Sequence, residues 1–321
     1  MGTSGYDPAM SEQRPNRPLL VVAGPTASGK SALALAVANE FGGTIINSDS
    51  MQVYEELRII TARPSDDEEA KVPHRLYGVL PAAERCSAGR WREMAVPEIE
   101  AVWAENRLPI IVGGTGLYLT ALLDGLSELP DVPPGVREKA RALHDEIGPE
   151  AFHSRLAKVD PDTAARLPQA DTQRLTRAYE IYLATGRSLT DWYKAAPITE
   201  PLTANVQTFL LEPPREELYD RCDTRFDWMI NNGALEDVQN FLSLGLDPGL
   251  PVMKALGVPE LAAHLAGDLT LEEAVEKAKQ TTRNFAKRQM TWFRNQIEKP
   301  DAVFAQYSER INQKIFSKVC F

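Results

Sequence analysis

Unbroken apolar runs alternate with amphipathic stretches along the first half of this chain. Leu19-Leu20-Val21-Val22-Ala23 has no polar break, the pattern of a strand covered on both faces. The Ala- and Leu-rich stretch from Ala32 to Phe41 predicts a helix. Gly43-Thr44-Ile45-Ile46-Asn47 and Pro109-Ile110-Ile111-Val112 repeat the buried-strand pattern, residues 73–79 predict a shorter strand, and 61–71 read as a charged loop. Ser87 is placed to cap a helix running towards Asn106, with Trp91, Val96, Ile99 and Trp103 as its apolar contacts. This alternation predicts an α/β fold with a parallel sheet flanked by helices.

The pattern changes at Leu129. From there to about Pro197 the chain is helical and charge-laced, opened by Pro130-Asp131-Val132-Pro133-Pro134, and residues 203–211 return to a strand pattern. A helical insertion is therefore expected over 129–199, projecting from a core made of 18–128 and 200–300. Beyond Arg215 the pattern is helical, over 218–231, 235–244 and 270–297. Residues 1–17 are expected to be a disordered N-terminal tail and 301–321 a C-terminal tail.

Composition narrows the class. The 321 residues carry 45 acidic against 35 basic side chains, a formal net charge of -10, which argues against indiscriminate nucleic-acid binding but not against a local basic face. No apolar run reaches membrane-spanning length, the N-terminus lacks a signal-peptide pattern, and a monomer is the default expectation. The three widely spaced cysteines (Cys86, Cys222, Cys320) fit neither a disulfide framework nor a zinc site and suggest a reducing cytoplasm. The four histidines have no metal-ligand spacing.

Between the first strand and helix stands Gly24-Pro25-Thr26-Ala27-Ser28-Gly29-Lys30-Ser31, which matches G-x-x-x-x-G-K-[ST]. Strand, glycine loop and helix in that order form a P-loop. Backbone N–H groups and the helix N-terminus cradle phosphate, Lys30 adds a full charge and the Ser31 hydroxyl can hold Mg²⁺. The expected fold is thus P-loop NTPase-like, with a helical insertion domain and a helical C-terminal region. An apolar strand ending in a magnesium-orienting Asp is matched only loosely by Ile45-Ile46-Asn47-Ser48-Asp49, and no guanine-reading Asn-Lys-x-Asp is present. The loop could therefore hold a pyrophosphate that belongs to no hydrolysed nucleotide.

Asp49 follows the second strand and falls on the same sheet edge as the P-loop, where it could serve as general base, magnesium orienter or helix cap. Gly113-Gly114-Thr115-Gly116 ends the third strand and permits close backbone approach to a ligand or a strained turn. Gln173, Arg174 and Arg177 lie on one predicted helix, where Arg174 and Arg177, three apart, share a face and either straddle phosphates or form a solvated face. Arg221 and Arg225, with acids interleaved, either pair along their helix or steady a leaving pyrophosphate. Residues 283–294 carry Arg283, Lys287, Arg288 and Arg294 without an acid, interleaved with Phe285, Trp292 and Phe293. That mixture suits RNA, or an amphipathic helix with its aromatics in the core; both can hold on opposite faces.

Five segments in order resemble the tRNA dimethylallyltransferase (isopentenyl-diphosphate:tRNA isopentenyltransferase) family: 24–31, Asn-Ser-Asp-Ser-Met-Gln-Val-Tyr at 47–54, Gly-Gly-Thr-Gly-Leu-Tyr at 113–118, Asp-Thr-Gln-Arg-Leu-Thr-Arg-Ala at 171–178 and Ala-Lys-Arg-Gln-Met-Thr-Trp-Phe-Arg at 286–294. The resemblance spans about Pro18 to Gln296. Cys86 stands where an aromatic is usual, and Ala255-Leu256-Gly257-Val258-Pro259 replaces a more typical Ile-Gly-Tyr near RNA. The resemblance implies Mg²⁺-dependent transfer of a dimethylallyl group from its diphosphate to N6 of the adenosine 3′ of the anticodon, with that base flipped out of the loop. It implies that Gly24 to Ser31 bind the diphosphate, with Lys30, Ser31 and one arginine, Arg221 favoured over Arg225, assisting catalysis and Ser31 on the metal. Asp49 becomes the general base. The tRNA contacts implied are Asp49, Ser50, Met51, Gln52, Thr115, Arg137, Gln173, Arg174, Leu175, Thr176, Arg177, Lys287, Arg288 and Arg294, and the insertion is expected to close over the anticodon stem-loop. Rival readings are an adenylate isopentenyltransferase acting on a free nucleotide, a small-molecule kinase, and a P-loop RNA-binding protein without catalysis.

Overall fold

The computed structural model describes residues 17–195, 198–297, 299–305 and 307–321. The tail expected over 1–17 lies, but for Arg17, outside the described residues. Among the described residues six strands make one parallel sheet: β1 (Pro18–Ala23), β2 (Gly43–Asn47), β3 (His74–Arg75), β4 (Leu108–Gly113), β5 (Asn205–Leu211) and β6 (Ala302–Phe304). Their order is β3-β2-β4-β1-β5-β6. The strands β1, β2 and β4 are the apolar runs of the sequence, and nearly every residue in them is buried. In an all-parallel sheet both faces must be covered, which is why these runs do not alternate.

Helices α1 (Lys30–Phe41), α2 (Asp66–Lys71), α3 (Ala88–Ala104) and α4 (Gly116–Leu123) belong to the first half of this core. The charged stretch expected as loop holds α2, started by a capping box in which Ser65 and Glu68 satisfy each other's backbone N–H. Ser87 caps α3 as its sequence predicts, accepting from the Arg90 N–H at 3.1 Å. Trp91 and Ile99 of α3 are buried, and Trp103 donates its indole N–H to the Pro18 carbonyl at 2.7 Å.

Two compact units result. The insertion is Gly125–Pro201, wider at each end than 129–199, because its two ends pair with each other. Thr199 donates its N–H to the Leu126 carbonyl at 2.8 Å, its hydroxyl accepts from the Leu126 N–H at 2.9 Å, and Ser127 bridges Ile198 antiparallel. Within it α5 (Pro134–Ala157), α6 (Pro161–Arg166), α7 (Thr172–Thr185) and α8 (Leu189–Ala195) enclose their own core of Phe152, Leu156, Leu175, Ala178 and Ile181, each fully buried.

The larger unit resumes at Leu202. After β5 come α9 (Arg215–Asn231), α10 (Ala234–Leu242), α11 (Val258–Leu265) and α12 (Leu271–Gln296), the last packed against α9 and α11. Residues 301–321 are not a tail. They supply the edge strand β6, whose Phe304 ring meets Phe209 edge-on at 5.6 Å, and α13 (Asn312–Phe316), whose Ile315 is buried in the core beside α1. Three apolar residues in a row gave too short a signal to be read as a strand before β5 was there to pair it.

Candidate active site

Register brings the chemistry to one edge. Ala23 of β1 lies level with Gly113 of β4, and Asn47 of β2 with Val112, so the P-loop, the Ser48–Gln52 turn and the Gly113–Gly116 run all leave the sheet at its C-terminal side. That edge is where ligands bind in open parallel sheets.

The P-loop is built as an anion cradle. Ala27 (φ 62°) and Gly29 (φ 91°) both adopt the left-handed region, the local geometry that lets successive amides face one concavity. The first turn of α1 has no acidic residue and no side-chain cap, so its orphan N–H groups are left to a ligand. Burial pulls the Lys30 ammonium down to about 8; the Asp49 carboxylate opposes that shift and the Arg225 guanidinium adds to it. Two cations at close range inside a partly buried pocket call for an anion. Lys30 meanwhile donates to the Pro25 carbonyl at 3.2 Å.

Arg225 on α9 reaches the loop: its guanidinium donates to the Thr26 hydroxyl. Arg221, which the sequence reading favoured over it, lies on the same helix. Burial lowers the Arg225 pKa, with Cys222 and Asp49 acting the other way. Helical spacing alone could not choose between positions four apart, because both lie on the same face of α9.

Asp49 closes a small turn. Its N–H donates to Asn47 Oδ1 at 2.8 Å, and its Oδ1 accepts from the Met51 N–H at 2.9 Å. Asn47 in turn donates to the Asp49 and Leu76 carbonyls, each at 3.0 Å. One carboxylate oxygen thus fixes the turn, and Oδ2 has no hydrogen bond among the described residues. Ser50 donates its N–H to Thr115 Oγ1 at 3.0 Å, which latches this turn to the glycine run after β4. Gln52 uses both amide hydrogens on the carbonyls of Thr61 and Ala62, at 2.8 and 2.9 Å, so its donor side is committed to the fold.

The exposed stripe of α12 is Asn284, Lys287, Arg288 and Thr291, at helical spacing, while Ala286, Gln289, Met290 and Phe293 are buried on the other side. The stretch 283–294 is thus an amphipathic helix, with Phe293 in the core, Phe285 and Trp292 partly buried, and a basic face turned outward. The charges are unequal, however. Arg283 pairs with Asp223 and Arg294 with Glu212, whereas Lys287 and Arg288 have no acidic partner among the described residues; Arg288 stands over the Phe285 ring at 5.7 Å.

In the insertion unit, Gln173 and Arg174 are exposed and Arg177 is partly so; Arg174 is paired with the α7 cap Asp171, and Arg177 reaches Glu180 at 3.5 Å. Leu175 and Thr176 are corrected. Leu175 is wholly buried in the insertion core, and the Thr176 hydroxyl is turned back onto the Thr172 and Gln173 carbonyls, so neither offers a surface for RNA. Arg137 is partly buried on α5, and its Nε has no hydrogen-bond partner among the described residues. Cys86 donates its N–H to the Tyr54 hydroxyl at 3.3 Å, and burial pushes its thiol up. Gly257 (φ 89°) caps α11 against Ile60 and Phe226.

Fold and site together define a P-loop α/β protein with a carboxylate beside its phosphate cradle and a basic helix face. A family model described as IPP transferase matches residues 52–296, and one described as isopentenyl transferase matches 18–81. The chain belongs to the IPP transferase family. It is 57% identical over 281 residues to the tRNA dimethylallyltransferase of Rhodospirillum centenum, covering 88% of this chain and 90% of that protein. Among solved structures it is similar to the tRNA isopentenylpyrophosphate transferase of Bacillus halodurans, with TM-score 0.66 and 31% identity over 94% of this chain and 97% of that one. A eukaryotic dimethylallyltransferase acting on tRNA matches with TM-score 0.71 and 29% identity, over 87% of this chain and 70% of that one.

Proposed function

We propose that this protein is a tRNA dimethylallyltransferase. It transfers the five-carbon group of dimethylallyl diphosphate to N6 of the adenosine next to the anticodon. The observation that carries the reading is that Asp49, just past β2, leaves the sheet at the same edge as the P-loop that follows β1. A base and a leaving-group pocket at such close quarters suit group transfer to an amine.

The amine nitrogen forms a bond to C1 of the dimethylallyl group as the C1–O bond to diphosphate breaks. The diphosphate leaves with the electron pair into the P-loop, where the α1 N-terminus, Lys30 and Arg225 stabilise its charge. Asp49 takes the amine proton through the oxygen not used by Met51, help typically worth about 10²–10⁴-fold. The target base must leave its stack to reach this edge. Ser50, Met51 and Thr115 border the Asp49 turn and are the nearest candidates to receive it. Lys287 and Arg288 on α12 would contact phosphates, and Arg137, Gln173, Arg174 and Arg177 are the insertion's own candidates.

Magnesium fits the donors present. The Ser31 hydroxyl is exposed with no partner among the described residues, and Mg²⁺ completes such sparse protein sets with water and substrate phosphates. When bound it would neutralise charge on the departing diphosphate. No described helix is long and apolar enough to cross a membrane, and the reading carries with it a cytoplasmic site of action. A free-nucleotide transferase would have no use for the open cations Lys287 and Arg288.

The test is a label-transfer assay with purified protein, Mg²⁺, labelled dimethylallyl diphosphate and unmodified anticodon stem-loop RNA, with AMP in a parallel reaction. Label should enter the RNA and disappear when the target adenosine is replaced by guanosine. Label on AMP alone would overturn the tRNA reading.

A further inference from the structure

Gln289 is a buried polar residue of α12 that no step above uses. Its Oε1 accepts from the Thr26 N–H at 2.8 Å, and its Nε2 donates to the Gly114 carbonyl at 2.8 Å. One side-chain amide therefore joins the P-loop to the glycine run after β4, bonding across 263 and 175 positions of sequence. The fit is close: a Cβ on Gly114 would stand 2.2 Å from Nε2. The bridge continues on both sides. Thr26 also receives Arg225, and Thr115, next to Gly114, donates to the Ser48 carbonyl at 3.3 Å and accepts from Ser50 at the Asp49 turn.

We infer that Gln289 is a positioning residue for the transfer reaction, fixing the distance between the diphosphate cradle and the Asp49 turn. The inference rests on the transferase reading for its kinetic consequence, but not for its effect on anion binding. The glutamine consumes a P-loop amide that would otherwise be open to phosphate. In exchange it holds Thr26 and Gly114 at one separation, as reacting groups on two loops require, since small misplacement is costly in a group transfer.

Replacing Gln289 by Met removes both bonds at similar volume. In the full-length protein, Q289M should bind inorganic pyrophosphate at least about tenfold more weakly by calorimetry, a loss equivalent to roughly 1.4 kcal/mol. The KM for dimethylallyl diphosphate should rise and kcat fall, while the KM for RNA stays unchanged. Q289N keeps the amide on a shorter arm that reaches one partner, and should fall between Q289M and wild type. It also serves if Q289M does not fold. Pyrophosphate binding within twofold of wild type, or tighter binding through a freed Thr26 amide, would overturn the inference. So would a loss that only tracks the unfolded fraction in a thermal melt. Wild-type protein that binds pyrophosphate but transfers nothing would instead sink the transferase reading, leaving the calorimetric comparison intact.

Discussion

Two glycine loops leave the sheet side by side, and they do opposite things with the same residue. In 24–31 the glycine at the head of α1 is left-handed and the helix start has no acid, so the loop is open to an anion. In 113–116 every glycine is already filled by protein. A Cβ on Gly113 would lie 2.3 Å from the Ser48 backbone, one on Gly114 would meet Gln289, and one on Gly116 would fall 2.4 Å from the Trp292 ring. The first loop is shaped for a ligand and the second for the groups that aim it. Lesions in the first should remove chemistry and spare the fold; lesions in the second should cost stability first.

The largest effects belong to the open side. Asp49→Asn should lower transfer by about 10²–10⁴-fold, the usual worth of a general base, while stem-loop binding measured by filter retention stays near wild type. Lys30→Met should cost about 10²–10³-fold, as losing one preorganised donor does. Its melting temperature should be unchanged or higher, because a charge disfavoured by burial is removed. A large fall in melting temperature for either variant would break the contrast between the loops.

Gly113→Ala is the matching lesion on the filled side. The new methyl can be accommodated only by moving Ser48 and hence the β2 end, an overpacking worth about 1–3 kcal/mol in chemical denaturation. A fully stable G113A with normal turnover would show that the second loop has slack the structure does not suggest.

How far each loop was legible in the sequence follows the same division. The P-loop could be read because its glycines, lysine and serine have fixed spacing and its neighbours are a buried strand and a helix. The strands β1, β2 and β4 were legible because burial on both faces leaves unbroken apolar runs. Gly113 to Gly116 announced a close approach but not what approaches, since Gln289 and Trp292 come from a helix more than 170 positions away. The same blindness to long-range contacts hid β6 until its partner β5 was in place, and put Leu175 and Thr176 on a surface. In the last case a motif carried a whole run of residues, though a helix can present only some of them outward.

Lys30 gives the open loop a pH signature that the filled loop lacks. Its ammonium, ordinarily at 10.5, sits at about 8 in the folded protein. Between those values the unfolded chain binds the additional proton, so this group makes stability rise with pH from about 8 to 10.5. Pyrophosphate affinity should move the other way, falling as pH climbs past 8 and the ammonium that holds the anion is lost. Melting curves at pH 7.5 and 9.5 should show the stability gain in wild type relative to Lys30→Met, and calorimetry should show the affinity loss only in wild type. A parallel pH response in both proteins would move the titration elsewhere.

The smallest effect tests the latch between the two sides. Thr115→Val keeps the shape of the side chain but removes Oγ1, which accepts the Ser50 N–H at 3.0 Å. The amide it releases is only partly buried and can turn to water, so the cost should be about 0.5–1.5 kcal/mol of stability. Asp49 would still be held by Asn47 and by its own bond to Met51, so transfer should fall by less than about tenfold, a change of 1.4 kcal/mol. A loss approaching that of Asp49→Asn would place the aim of the carboxylate in Thr115 rather than in the turn itself. The filled loop would then act on the chemistry directly, and the division between the two loops would lie between Gly114 and Thr115, not between 24–31 and 113–116.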